Sequence, residues 1–149
     1  MASLGHDGFD AVLSTIATHW LQAHELTAAY RDVAGILRPG GILLNGDGLY
    51  LPRWQTKAKA AVDAVRQRRH DRAVEAGAQD WDAWWDALRA DPALHEAFAK
   101  RDRIFPDQAR SPIGPPTLAF HETALYEAGF EEVTTVWQDL TMRILLALR

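Results

Sequence analysis

Cysteine is absent from the sequence. This absence excludes disulfide frameworks, thiolate zinc sites, iron–sulfur clusters and cysteine nucleophiles. Six histidines are scattered along the chain. Among them, His24 and His121 each precede a glutamate as in helical zinc proteases, but the positions of the second histidine hold Ala28 and Leu125. We therefore predict no metal site.

Long hydrophobic runs are also lacking. The longest apolar stretches, such as residues 144–148, fall far short of the ~18 residues that a membrane span needs. The first ten residues do not show the basic-then-apolar layout of a secretory signal. The length of 149 residues suits one domain with one core. These features predict a cytoplasmic protein that does not enter a membrane.

No face of one charge sign is apparent. The formal net charge is −4, with acidic ends and a slightly basic middle segment. The one cluster of arginines, at residues 66–72, is interleaved and flanked with acidic side chains, which is typical of a solvated helix face. Because phosphate binding requires a predominantly basic surface, we predict no nucleic-acid partner.

The first fifty residues show a strand–helix–strand pattern. Residues 9–15 and 42–44 are short apolar runs that predict buried strands. Between them, apolar residues recur at helical spacing from Leu26 to Leu37 and stop at the breaker Pro39-Gly40-Gly41. Continuous apolar strands joined by a helix predict a parallel sheet covered on both faces. We interpret Gly46-Asp47-Gly48 as a tight turn, because the third glycine of a nucleotide loop is missing.

The remainder divides into a helical middle and a β-rich end. Residues 53–110 predict two or three helices, one of which has an aromatic face and can be capped by Asp80; residues 110–116 predict a loop. Thr117 can cap a helix that ends before Gly129. Residues 133–138 and 142–148 then predict an antiparallel hairpin.

Three segments together resemble a known family. They are FDAVLSTIATHWL at 9–21, YRDVAGILRPGGILLNGD at 30–47 and PPTLAFHETALYEAGFEEVTTVWQ at 115–138. They are similar to the carboxyl-terminal half of class I S-adenosylmethionine-dependent methyltransferases, in particular those that act on small molecules. The resemblance covers nearly the whole chain outside the helical middle.

The resemblance implies an α/β fold, a partial doubly wound, Rossmann-like sheet. Residues 9–15, 42–46, 133–138 and 142–148 would be strands four to seven in the order 3-2-1-4-5-7-6, with the seventh antiparallel. Residues 1–149 would form a single partial domain with a helical insertion or lid at 53–110. The first strand and its GxGxG cofactor motif have no counterpart, so the domain would be truncated. A completing chain or self-association through the strand-four edge is then expected.

The resemblance also implies site residues for S-adenosylmethionine and a small-molecule methyl acceptor. Cofactor contacts would come from the end of strand four and just beyond it, at Ser14, Thr15, Ile16, His19 and Trp20. Acceptor contacts would come from strand five, the helical segment and the last helix, at Asn45, Asp47, Tyr50, Trp54, Trp81, Trp85 and His121. The alternative for His121 is a hydrogen-bonded residue of the core. The alternative for the tryptophan-rich helix is a structural role in a core.

The chemistry would be an in-line transfer of a methyl group, in which alignment contributes most. A base is needed where the acceptor must lose a proton, and His19, Asp47 and His121 are the candidates, among which the sequence does not choose. Two other hypotheses stay open. In the first, the chain is a non-catalytic remnant or pairing subunit with the same half-fold. In the second, it is an unrelated α/β binding module with an aromatic groove.

Overall fold

The computed structural model describes residues 8–104 and 116–149. The loop predicted at 110–116 lies almost wholly outside the described residues. The chain divides into two compact units, the first formed by residues 1–58 and 113–149 and the second by residues 59–112. No described helix is long and apolar enough to span a membrane.

The described residues form an α/β structure with four strands and five α-helices. The strands are β1 Phe9–Thr15, β2 Leu37–Gly48, β3 Glu132–Asp139 and β4 Met142–Leu148. The helices are α1 Ala23–Ile36, α2 Thr56–Glu75, α3 Trp81–Ala90, α4 His95–Ile104 and α5 Leu118–Glu127, with 3-10 turns at Thr18–Trp20 and Pro92–Leu94. The predicted strand–helix–strand start, the helical middle and the final hairpin are thus confirmed, within the described residues.

The strands form one mixed sheet in the order β1-β2-β4-β3. β1 runs parallel to β2, with Val12 opposite Leu43, and β4 is antiparallel to both of its neighbours. This relative order is the one that the resemblance implies for its last four strands. The numbering of these strands as four to seven of a longer sheet stays a prediction.

β2 is longer than predicted at both ends. It begins at Leu37, which pairs with Phe9 of β1. Residues 38–41 then form an irregularity in the pairing, and regular pairing continues from Ile42 opposite Ala11. Gly8 has a φ of +97°, and a Cβ there would lie 2.7 Å from the Arg38 nitrogen, so glycine permits this close approach. The tight turn predicted at Gly46-Asp47-Gly48 is wrong, because these residues pair with β4 up to the end of β2.

The core lies on one face of the sheet, under α1 and α5. Leu26 and Tyr30 of α1 and Leu125 of α5 pack there against Leu43 and Leu145. α5 begins at the predicted Thr117 cap, whose Oγ1 accepts from the Phe120 nitrogen. It ends before Gly129, whose φ of +99° is the left-handed stop that the sequence predicts.

Two burial predictions are wrong. β1 was predicted to be buried, but it lies at the sheet edge, and its Leu13 side chain is 71% exposed. The sheet was predicted to be covered on both faces, but among the described residues of this unit helices pack on one face only. Apolar sequence in β1 therefore does not signify burial within this unit.

The second unit is built from the helical middle. Asp80 caps α3 as predicted, with its carboxylate accepting from the Asp82 and Ala83 nitrogens. Asp91 similarly caps the 3-10 turn that begins at Pro92. The full extent of a helical insertion stays a prediction.

Candidate functional site

A group of polar side chains lies buried where β1 and β2 end. β1 leads through Ile16 into the 3-10 turn Thr18–Trp20, and β2 brings Asn45 and Asp47 alongside. Asn45 and Asp47 are fully buried. Because side chains alternate along a strand, these two share the helix-covered face with Leu43 and Leu49. Polar groups at core positions require hydrogen-bond partners.

Asp47 accepts four hydrogen bonds. Its Oδ2 accepts from Thr18 Oγ1 at 2.7 Å and from the His19 backbone nitrogen at 3.0 Å. Its Oδ1 lies 2.7 Å from both the His19 Nδ1 and the Gly48 nitrogen. A carboxylate has about four lone-pair sites, so these partners saturate it. Burial acts to raise the pKa of Asp47, but the hydrogen bonds from Thr18, Gly48 and His19 outweigh it and lower the pKa below its usual value.

The hydrogen bonds continue from Thr18 to His121. Thr18 has one proton, which the short contact assigns to Asp47, so its oxygen accepts from Asn45 Nδ2 at 3.1 Å. The same Asn45 nitrogen donates to the Tyr30 hydroxyl at 3.3 Å. The Tyr30 hydroxyl lies 2.7 Å from His121 Nδ1 and donates to it in this arrangement. The network thus joins the 3-10 turn Thr18–Trp20, β2, α1 and α5.

Burial keeps the far end of this network neutral. It lowers the pKa of His121 to about 4, against a weaker opposing effect of the Asp47 charge. Burial also raises the pKa of Tyr30, which the Asn45 hydrogen bond only partly offsets. Tyr30 is therefore protonated and His121 unprotonated near neutral pH. This agrees with a hydrogen bond donated by tyrosine to the imidazole.

His19 is the accessible end of the network. Its side chain is 21% exposed, whereas that of Asp47 is 1% exposed. With Nδ1–H donated to Asp47, the neutral ring carries its lone pair on Nε2. Trp20 beside it is 60% exposed, and the two ring centroids lie 5.0 Å apart. The arrangement presents an oriented imidazole that can accept a proton.

Three of the five predicted cofactor residues line a cavity of ≈ 350 Å³ on the uncovered face of the sheet, and His19 and Trp20 do not. Ser14, Thr15 and Ile16 line it together with Trp137 and Ile144. Ile16 has a φ of 50°, which is rare for a β-branched residue and costs backbone strain. Strain of this kind is concentrated at functional sites.

The predicted acceptor residues are only partly brought together. Asn45, Asp47 and His121 belong to the buried network. Tyr50 is 40% exposed and forms a single β-bridge with Thr117, and Trp54 is 80% exposed.

Trp81 and Trp85 belong to the second unit. There they form an aromatic cluster with Trp84 and Phe98, and Trp81 remains 66% exposed. None of these contacts tests a lid function, which stays a prediction.

Sequence reasoning missed two parts of this network. Thr18 was not singled out, and Tyr30 was considered only as a core residue. The signal was present in β2, where Leu43, Asn45, Asp47 and Leu49 alternate on one face, so polar groups had to lie among core residues. Within the described ranges, no group of three or more metal-ligating side chains occurs.

No protein-family model matches the sequence, and no curated protein matches it. Among solved structures, one from Bordetella parapertussis, described as a possible exported protein, aligns over 97% of this chain and 40% of its own, at 19% identity and a TM-score of 0.50. This likeness shows the α/β fold alone.

Two methyltransferases also align, with lower TM-scores. An O-methyltransferase family protein from Burkholderia thailandensis aligns over 95% of this chain and 30% of its own, at 17% identity and a TM-score of 0.48. The S-adenosylmethionine-dependent methyltransferase SibL aligns over 95% and 31%, at 16% identity and a TM-score of 0.47. The chain thus spans less than half the length of the structures that it resembles.

Proposed function

We propose that this chain is the carboxyl-terminal portion of an S-adenosylmethionine-dependent methyltransferase that acts on a small molecule. The observation that carries the proposal is the parallel pairing of β1 with β2. This pairing places Ser14–Ile16 beside Asn45 and Asp47 at the carboxyl ends of adjacent strands. Open α/β sheets bind ligands at such ends. Two of the three segments that resemble the methyltransferase family, 9–21 and 30–47, include these strands.

The pocket for the methyl donor would be completed by other residues. β1 is an edge strand in the described sheet, and the cavity beside it is open on the uncovered face. We propose that a segment upstream of β1, or a second chain, carries the missing strands and the GxGxG motif. Its strands would pair with β1 and its helices would cover the exposed face.

His19 is the best of the three candidate bases. Asp47 is saturated with hydrogen bonds, and His121 is buried, with its Nδ1 lone pair bonded to Tyr30. His19 keeps a lone pair on Nε2 and is partly accessible. In the proposed step the acceptor attacks the methyl carbon, the carbon–sulfur bond breaks, and the acceptor proton moves to His19 Nε2. The Asp47 carboxylate would stabilise the resulting imidazolium.

Titration with S-adenosylhomocysteine tests this proposal. The 149-residue chain alone should bind it weakly or not at all in calorimetry. A longer chain, obtained by extending the reading frame upstream, should bind it and transfer methyl groups. In that longer chain His19→Ala should lower kcat by about 10²-fold or more, whereas His24→Ala, on the exposed side of α1, should leave it unchanged. Micromolar binding by the 149-residue chain alone would refute the incomplete pocket.

A second function is a non-catalytic pairing subunit. The exposed edge of β1 and the apolar side chains on the uncovered face of the sheet favour this second function, because both promote association. Light scattering together with the titration separates the two hypotheses. A stable complex that never binds S-adenosylhomocysteine supports the pairing subunit, and a complex that binds it supports the enzyme.

A further inference from the structure

A second cavity, of ≈ 250 Å³, lies beyond the end of β2 in the unit that contains the sheet. Tyr50, Gln55, Thr117, Glu122 and Arg143 supply its polar and charged lining. It lies at the same end of the sheet as His19 and Asp47, because β4 starts where β2 ends. Neither the buried network nor the proposed base accounts for this cavity.

Arg143 is the unusual member of this lining. It is only 7% exposed, and its Nη1 donates to the Leu49 carbonyl oxygen at 2.7 Å. Its Nε is buried and has no hydrogen-bond partner in the part of the chain that the structure describes. Asp47 stands opposite Arg143 across the strands, but its acceptor sites are taken by Thr18, His19 and Gly48. A buried donor without an acceptor is destabilising. Because Arg143 also lines the cavity, a ligand there can supply its guanidinium with a further acceptor.

The chemistry of a guanidinium restricts the kind of ligand. Arginine stays protonated in proteins and donates to carboxylates through a planar fork. Burial lowers the pKa of Arg143, and the charge of Glu122 acts against that shift. Glu122 is the one acidic side chain that lines the cavity among the described residues, and its charge opposes that of Arg143 for an anion bound there. Neutral groups of Tyr50, Gln55 and Thr117 can complete the hydrogen bonds of a small acid.

We propose that this cavity binds a small organic carboxylate through the guanidinium of Arg143. Its place at the ligand-binding end of the sheet makes that carboxylate part of the methyl acceptor, an assignment that rests on the function proposed above. Carboxylate binding itself requires only residues that this chain supplies.

Nuclear magnetic resonance of the arginine side chains tests the proposal directly. Benzoate is titrated into the 149-residue chain, and benzamide serves as the neutral analogue of the same shape. The Nε–H signal of Arg143, assigned by its loss in Arg143→Lys, should move downfield and saturate with benzoate alone. An unmoved signal, or an equal shift with benzamide, would overturn the proposal.

Two further variants keep the test independent of an Arg143 substitution. Glu122→Gln should tighten benzoate binding by about threefold or more, because it removes a like charge from the cavity. Glu127→Gln, on an exposed part of α5, should leave it unchanged. Equal affinities in all three proteins would contradict the assigned site. Since S-adenosylhomocysteine binding is measured separately, failure of this site and failure of the methyltransferase proposal can be told apart.

Discussion

The two faces of the sheet differ in the polarity of their side chains in a way that is unusual for a sheet. The face under α1 and α5 buries the polar side chains of Asn45, Asp47 and Arg143 among core residues. The opposite face presents apolar side chains to solvent, with Leu13 71% and Trp137 51% exposed. A sheet with one solvated face normally has apolar side chains on the covered face and polar side chains on the solvated one, so both groups depart from that pattern.

Each half of this difference has its own explanation. Buried polar groups are costly unless they are hydrogen-bonded, and here Asn45 and Asp47 are joined in a network that ends at the accessible His19. Exposed apolar groups are costly unless another surface covers them. The first face therefore suits a site, and the second suits an interface with the residues that would complete the fold.

The largest effect is expected from removing the carboxylate at the centre of the polar face. Asp47→Ala leaves the Thr18 hydroxyl and the His19 and Gly48 nitrogens without their acceptor. We expect the free energy of unfolding to fall by about 3–5 kcal/mol in urea denaturation. Asp10→Ala is the control, because the Asp10 side chain is 84% exposed and pairs with Arg38 at the surface. It should cost less than about 1 kcal/mol. Equal losses would mean that the buried network does not stabilise the fold.

The next largest effect is expected in the pH dependence of stability, and it involves the same covered face of the sheet. Burial lowers the pKa of His121 from 6.5 to about 4, so the unfolded chain takes up a proton first as the pH falls. The stability due to neutral His121 is therefore complete above pH 6.5 and is lost as the pH drops to about 4. The pKa difference corresponds to a loss of about 3 kcal/mol. Denaturant unfolding at several pH values between 4 and 7 measures it.

A variant distinguishes the contribution of His121 to this pH dependence from that of other groups in the chain. His121→Gln keeps an acceptor for the Tyr30 hydroxyl but has no group that titrates in this range. Its stability should depend less steeply on pH between 6.5 and 4 than that of the original chain. If the two slopes are the same, His121 is not held neutral by burial.

Much of the fold follows from local sequence. The strand–helix–strand start depends on the spacing between Leu26 and Leu37, and the last helix depends on its Thr117 cap and Gly129 stop. The burial of β1 could not be predicted in this way, because an apolar strand does not reveal whether its neighbour belongs to the same unit. Its exposure is a property of the sheet order, which places it at an edge.

The sequence indicated the candidate site only through the types of its residues and their positions near the ends of strands. The resemblance selected His19, Asn45, Asp47 and His121, and all four belong to one network. The choice among the bases required distances, because lone pairs and burial distinguish His19 from Asp47 and His121. Arg143 escaped because a single arginine in an apolar strand carries no motif. Its unpaired Nε is visible only in three dimensions.

The smallest effect on stability is expected on the apolar face. Leu13→Lys should change the free energy of unfolding by less than about 0.5 kcal/mol, because Leu13 is mostly exposed. Leu43→Ala, in the strand opposite and on the covered face, should cost about 2–5 kcal/mol. Light scattering should show less self-association for Leu13→Lys, since a lysine on an edge strand opposes pairing. A loss above 2 kcal/mol in Leu13→Lys would mean that this face is already covered, and the completing half would then have no surface on which to pack.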